Sequence, residues 1–278
     1  MTPRTVWLAS YPRSGNTWLR AVCTAWLHDR PVDVNALIGL PIASSRDCFD
    51  VELAIPSSSL TRAEIDFLRP RVDELVAANA REPFLRKIHD AYFKGPTGEP
   101  IVSVKATRAA VYIIRDPRDV AVSYAESRGL PPVWAQQQLN DPAATLQGDN
   151  DRLHRQLGQR LGTWSQHVRS WVDEPPFPVE VVRYEDLASA PVETFGRALR
   201  FVGFADVDGG RLEDAVERAA FDRLRRAEDD RGFVEQSRDA ARFFRRGKPG
   251  SWHEELPAEV ADRIRQDHWE VMARFGYR

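Results

Sequence analysis

TVWLASYPRSGNTWL, residues 5–19, decides how the rest of the chain is read. The apolar run Val6-Trp7-Leu8-Ala9 has the length of a buried strand. It breaks at Ser10-Tyr11-Pro12, passes through Arg13-Ser14-Gly15-Asn16 and resumes as a helical pattern from Thr17. A strand that turns tightly into a helix leaves that helix's first N–H groups without intrahelical partners, and the helix dipole adds partial positive charge there. An anion suits such a turn, and Arg13 adds a full charge with several donors. An ordinary strand-to-helix turn with a surface arginine is the other reading. The loop is not a Walker A sequence, which needs Gly, four residues, then Gly-Lys-Ser/Thr. Here one Gly is present, no Lys follows it, and Arg13 precedes it.

Outward from this stretch, residues 17–28 carry apolar side chains at 18, 19, 22, 25 and 26, which predicts an amphipathic helix. Residues 29–59 hold prolines at 31, 41 and 56 and three serines at 57–59, and read as irregular. A helix is expected over 61–80, opened by Thr61-Arg62-Ala63-Glu64 in capping-box form. Residues 82–89 predict a second buried strand with a polar tip. Residues 109–114 are the clearest strand and run into Asp116-Pro117-Arg118-Asp119, with a helix over 120–126. From 128 to 162 periodicity weakens among Gln, Asn, Asp and Pro, which suggests a mobile or substrate-shaping insertion that includes Trp134. A helix over 163–172, a strand over 178–183, helices over 191–202 and 210–219, a charge-dominated run over 223–248 and a helix over 255–275 complete the pattern.

Strands alternating with helices predict an α/β fold: a single domain over 1–278, with a mostly parallel central sheet flanked by helices. Ligands of such sheets sit at the carboxyl ends of the strands. The four tips read SYPRSGN, KIHD, IRDPRD and RYED, all polar.

Charge is nearly balanced, 39 Lys+Arg against 41 Asp+Glu, which argues against a nucleic-acid-coating protein. Cys23 and Cys48 form neither a metal-type pair nor a disulfide framework. No apolar run approaches the ~20 residues of a bilayer span, and the first residues hold no signal-like segment, so a cytoplasmic protein is expected. Arg115 at a strand tip and Ser123 on the next helix could hold a second phosphate from two sides. A structural network of Arg115, Asp116, Arg118 and Asp119 is the alternative.

Four segments carry a resemblance. YPRSGNTW at 11–18 resembles the 5′-phosphosulfate loop of the cytosolic-type sulfotransferases, and IIRDPRDVAVSY at 113–124 is similar to their 3′-phosphate segment. FFRRGKPGSW at 243–252 resembles their C-terminal Arg-Lys-Gly segment, and KIH at 87–89 their Lys-x-His. The pieces occur in the family's order and span most of the chain. The resemblance implies a P-loop-NTPase-like sulfotransferase fold. It also implies transfer of a sulfuryl group from 3′-phosphoadenosine-5′-phosphosulfate (PAPS) to a hydroxyl or amine of a small molecule, leaving adenosine 3′,5′-bisphosphate (PAP). By the same resemblance Arg13 stands beside the bridging and sulfuryl oxygens. Ser14, Gly15, Asn16 and Thr17 cradle the 5′-phosphate, and Trp18 stacks near the adenine. Arg115, Ser123, Arg245, Arg246 and Gly247 bind the 3′-phosphate. Tyr184 and Phe221 contact the nucleotide, and Lys87 and His89 face the sulfuryl group and the acceptor.

The chemistry agrees with those roles. Sulfuryl transfer, like phosphoryl transfer, depends on positioning and charge stabilisation. The acceptor must lose a proton, and His89 is a neutral base suited to pH 7, with Lys87 two residues earlier on the same strand face. The other histidines lie in helical or loop stretches without a partner at useful spacing. No metal-ligand spacing occurs, and Arg13 and Lys87 supply the positive charge, so no metal is expected. Residues 223–238 read as a solvated face. Residues 243–252 read as a lid that orders on PAPS, with Gly247 and Gly250 permitting its turns.

The sequence also departs from the family pattern. Arg13 replaces the usual Lys; the charge is kept, but the planar guanidinium is a less compact proton donor than an ammonium. Ala219-Ala220-Phe221 replaces a Thr-Ser-Phe group, so only Phe221 carries over. The family's C-terminal dimer motif is not recognisable in 253–262, which leaves the oligomeric state open. A P-loop kinase is the competing enzyme class and lacks its Gly-Lys-Ser/Thr loop here. A non-catalytic nucleotide-binding protein would be expected to lack Lys87 or His89.

Overall fold

A computed structural model of the chain describes residues 2–95, 97–148, 153–204, 207–236 and 240–278. In chain order the elements are β1 (Thr5–Ser10), α1 (Asn16–His28), α2 (Arg46–Leu53), α3 (Arg62–Asn79), β2 (Phe84–Ile88) and β3 (Thr107–Ile114). There follow α4 (Pro117–Arg128), α5 (Pro132–Leu139), β4 (Thr145–Leu146), β5 (Gln159–Arg160), α6 (Trp164–Val172) and β6 (Val179–Arg183). The remainder is helical: α7 (Tyr184–Ser189), α8 (Pro191–Phe201), α9 (Gly209–Arg218), α10 (Phe221–Arg231), α11 (Trp252–Glu255) and α12 (Ala258–Arg274).

The main sheet has the order β2-β1-β3-β6, with β1 and β2 parallel and Thr5 opposite Phe84, Ala9 opposite Ile88. Every residue of β1 is buried, as a strand covered on both faces requires. This is the α/β fold with a parallel central sheet that the alternation predicts. Chain order reverses at β1, which lies between β2 and β3, and ligands of such sheets bind at the strand ends beside a reversal.

The chain divides into two compact units. The first comprises the chain up to Tyr11, Gly39–Tyr112 and Pro142–Val181; the second comprises Pro12–Ile38, Ile113–Asp141 and Val182–Arg278. In the first unit the Trp7 indole donates to Thr107 Oγ1 at 2.9 Å, tying β1 to β3. The capping box of α3 forms as the sequence predicts, Thr61 and Glu64 satisfying each other's backbone N–H groups. The stretch 29–59 is not wholly irregular. Ser45 caps α2, whose Phe49 packs with Val72 of α3 and Leu157. A helix of eight residues with one fully buried apolar position shows too little period to be seen in sequence.

In the second unit α1 packs on α9, α8 on α7 and α9, and α5 on α4 and α12. The expected insertion over 128–162 therefore begins with an ordered helix. Pro131-Pro132 looks like a breaker, yet Pro132 occupies the first turn of α5, where a missing N–H costs nothing. Trp134 packs edge-on against Tyr124, ring centroids 5.2 Å apart. In the first unit, β4 and β5 of the same stretch pair antiparallel; residues 149–152 lie outside the described residues. The charged run from 223 opens in α10, which buries Leu224 and, four residues on, Glu228. No helix among the described residues is long and apolar enough to cross a membrane.

Candidate functional site

The second unit contains the loop that follows β1. Arg13 has φ 69° and Gly15 φ 102°, two left-handed residues that bend the chain sharply into α1. A non-glycine in this region stores strain of about 1–3 kcal/mol, and such residues cluster at ligand sites. Gly15 has a steric reason as well. A Cβ there would lie 2.5 Å from Cδ2 of Tyr184. Ser14, Asn16 and Thr17 are buried at this turn, and Ser14 Oγ has no hydrogen-bond partner.

Arg115, at the end of β3, is buried and donates Nη1–H to the Arg13 carbonyl at 3.1 Å. Its guanidinium lies 4.3 Å over the Tyr184 ring, and its Nε has no hydrogen-bond partner. A buried hydroxyl and a buried guanidinium N–H left unsatisfied, one in the loop and one on the arginine bound to it, are what a polyanion would complete. Trp18 stands edge-on to Tyr184 and Phe195 and donates its indole N–H to the Ala219 carbonyl at 3.1 Å.

Arg13 and Ser123, expected at opposite ends of the donor, are brought together: Nε–H donates to Ser123 Oγ at 2.9 Å. The Arg13 guanidinium also lies 4.4 Å from the centroid of Phe243 and donates to the Phe243 carbonyl at 3.4 Å. Burial first, and Arg115 second, pull its pKa down to about 10, so it stays cationic at pH 7. Arg245 and Arg246 are engaged elsewhere. Arg245 makes a fork to Glu255 at 2.6 and 3.0 Å and also pairs with Glu126, while Arg246 pairs with Glu254 at 2.7 Å. Gly247 (φ 64°) lies under the Phe221 ring, whose Cδ2 would be 2.2 Å from a Cβ. The expected Arg–Asp network is realised by Arg118 and Asp116, 2.7 Å apart; Arg115 stays 3.8 Å from Asp119.

The first unit contains Lys87 and His89. Lys87 is buried on β2 beside Leu8 of β1. β2 ends at Ile88, so hydrogen bonds rather than strand alternation orient His89. Its Nδ1 lies 2.9 Å from the Ser10 carbonyl. A carbonyl only accepts, so Nδ1 carries the proton and the neutral ring has its lone pair on Nε2. The turn around His89 is fixed from α6. His167 Nε2 donates to the His89 carbonyl at 3.0 Å, Trp171 donates to the Asp90 carbonyl at 2.8 Å, and Ser170 Oγ accepts from Tyr92 N at 3.0 Å. Asp90 is clamped by both terminal nitrogens of Arg69, at 2.8 and 2.6 Å.

His167 corrects the expectation that the remaining histidines lack partners. Its Nδ1 accepts from the Tyr112 hydroxyl at 2.9 Å. Burial drives its pKa down to about 4 and holds Tyr112 well above its ordinary value, so both are neutral at pH 7. Only the buried stripe of α6 could have pointed to it. Glu228, four residues after Leu224 on the buried face of α10, carries a similar signal.

The sulfotransferase domain model matches residues 3–276. Cytosolic sulfotransferase 17 of Arabidopsis thaliana is 25% identical over 279 residues, covering 94% of this chain and 72% of that protein. Flavonol 3-sulfotransferase of Flaveria bidentis is 23% identical, covering 94% and 80%. Among solved structures, retinol dehydratase in complex with retinol and PAP superposes with a TM-score of 0.60 at 20% identity, covering 98% and 82%. A mouse sulfotransferase complexed with PAP gives 0.58 at 21%, covering 97% and 85%.

Proposed function

The chain belongs to the sulfotransferase domain family, and on that footing we propose that it transfers the sulfuryl group of PAPS to a hydroxyl of a small molecule, releasing PAP. The observation that carries this reading is the pair of unsatisfied buried polar atoms, Ser14 Oγ and Arg115 Nε, at the turn into α1. PAPS brings an already activated sulfuryl group, so the protein needs to bind, orient and neutralise rather than activate.

The second unit binds the donor. The α1 N-terminus with Ser14 to Thr17 holds the 5′-phosphate, and Arg115 with Ser123 takes the 3′-phosphate. Trp18, Tyr184 and Phe221 flank the nucleotide. Arg13 releases Ser123 to it and supplies charge to the transferring group. Arg245 and Arg246 exchange their glutamates for the 3′-phosphate. His89, whose Nδ1–H donates to the Ser10 carbonyl, takes the acceptor proton at Nε2. Lys87 neutralises developing charge.

The flavonol sulfotransferase relative and the superposing retinol complex favour an apolar alcohol or phenol as acceptor. The chain acts in the cytoplasm, as the cytosolic relatives do. Incubation with labelled PAPS and a panel of phenols, flavonols and aliphatic alcohols tests the reading. Label transfer with PAP release is expected. Failure of PAP to bind in calorimetry, with no transfer across the panel, would overturn it.

A further inference from the structure

The segment bearing Arg245, Arg246 and Gly247 is tied at both ends by buried carboxylates. Upstream, Glu228 of α10 accepts the backbone N–H of Phe243 at 2.6 Å and of Phe244 at 2.9 Å. Downstream, Asp119 of α4 accepts Gly250 N at 2.6 Å, Trp252 N at 3.0 Å and Ser251 Oγ at 3.1 Å. Glu228 is 5% exposed and Asp119 1%. The same Phe243 peptide is gripped from its other side, because its carbonyl accepts from Arg13. A carboxylate receiving two adjacent N–H groups fixes the direction of that peptide pair. It therefore fixes where the chain points as it enters Arg245.

We propose that Glu228 is a positioning residue for 3′-phosphate recognition. Its carboxylate sets the backbone from which Arg245, Arg246 and Gly247 reach the nucleotide, and Asp119 sets the other end of the same strap. This rests on the nucleotide reading above and adds a residue to it. Glu228 does not touch the nucleotide; it acts through the two amides it holds. Gln in its place offers one acceptor oxygen and turns an NH2 toward the second amide, so one buried donor loses its partner.

A plain charge effect would have the opposite sign. Glu228 lies within electrostatic range of Arg13. Removing a negative charge there would strengthen the binding of any anion, whereas a misplaced strap weakens recognition of the 3′-phosphate alone.

Calorimetric titration of PAP and of adenosine 5′-monophosphate into the wild-type chain and Glu228→Gln separates these cases. The variant is expected to lose about tenfold in PAP affinity and less than about twofold for the monophosphate. The ratio is taken within each protein, so partial unfolding cancels. Equal losses for both nucleotides, or a gain for both, would overturn the proposal while leaving the wild-type preference for PAP, and hence the functional reading, intact. A wild type that binds the two nucleotides equally would overturn that reading and the proposal with it. Should Glu228→Gln not fold, Glu228→Asp keeps the charge but withdraws it by one methylene, and an intermediate ratio is expected. Hydrogen exchange of the wild type supplies a second check. The Phe243 and Phe244 amides are expected to be protected, and exchange at the rate of exposed amides would overturn the proposal.

Discussion

His89 and Arg245 are held in opposite ways. In the first unit the constraints on the base are directional hydrogen bonds. The Ser10 carbonyl sets its tautomer, His167 holds its carbonyl, and the Arg69–Asp90 fork locks the next residue. In the second unit the cations of the C-terminal segment sit on carboxylates that are themselves partly exposed: Glu255, Glu126 and Glu254. A proton acceptor needs one geometry and gains from rigidity. An arginine that is to take up a phosphate needs partners it can leave, and an exposed pair such as Arg246–Glu254 contributes little enough to be exchanged. The two halves of the chemistry thus use the two regimes of protein electrostatics.

The comparison breaks most visibly at His89. His89→Ala is expected to lower turnover by about 10²–10⁴-fold, the range of a general base, with PAP affinity within a few fold of wild type. Steady-state kinetics beside calorimetry decides it, and a variant that keeps wild-type turnover would remove His89 from the reaction. Arg115→Ala comes next. It deletes a buried charged donor whose Nε has no protein partner, and PAP affinity is expected to fall by roughly 10- to 100-fold. Unchanged affinity would assign the arginine to the structural network instead.

These two sites were the legible part of the sequence. Both lie at ends of strands whose apolar runs are unmistakable, β2 and β3, and each tip carries chemistry in consecutive residues. Such signals are local. His167 and Glu228 were hard to read, because each acts on a segment outside its own helix and only its place in a buried helix stripe marks it out. The same cause hid α2 and α5. A short helix with few buried positions is fixed by what it packs on, Val72 and Leu157 for Phe49, and not by its own period. The second unit's arginines could be read as cations but not as cations already paired, since Glu254 and Glu255 look like the opening of a terminal helix.

His167 sharpens the contrast with a smaller effect. His167→Phe removes the donor to the His89 carbonyl and the acceptor of the Tyr112 hydroxyl, so the kcat is expected to fall about tenfold at unchanged PAP affinity. His167→Gln, which restores a donor, is expected to recover most of it. A merely structural role would lower the melting temperature without that split between kcat and binding.

The pH dependence has a definite sign. The His167 pKa is about 4 in the fold against about 6.5 in an unfolded chain, so the unfolded state binds the extra proton between those values. The stability this residue gives is present above pH 6.5 and is lost as pH falls toward 4. Denaturant unfolding at a series of pH values is expected to show the wild type's advantage over His167→Gln shrinking by about 3 kcal/mol across that window. A constant difference would mean that His167 is not held neutral by burial.

The smallest effect tests the exchangeable side. Glu254 and Arg246 pair at 2.7 Å with the glutamate largely exposed, and Arg246 keeps a second carboxylate, Glu255, at 3.5 Å. Glu254→Gln is therefore expected to leave the melting temperature unchanged within error. It also removes the nearer of the two carboxylates that compete for Arg246. If that arginine exchanges its carboxylate for the 3′-phosphate, PAP affinity should rise by about two- to threefold at low salt, and the gain should fade as salt screens the pair. The monophosphate should show no gain. A fall in PAP affinity would mean that Glu254 orients Arg246 rather than competing for it. The second unit would then be held as directionally as the first, and the contrast between the two would be lost.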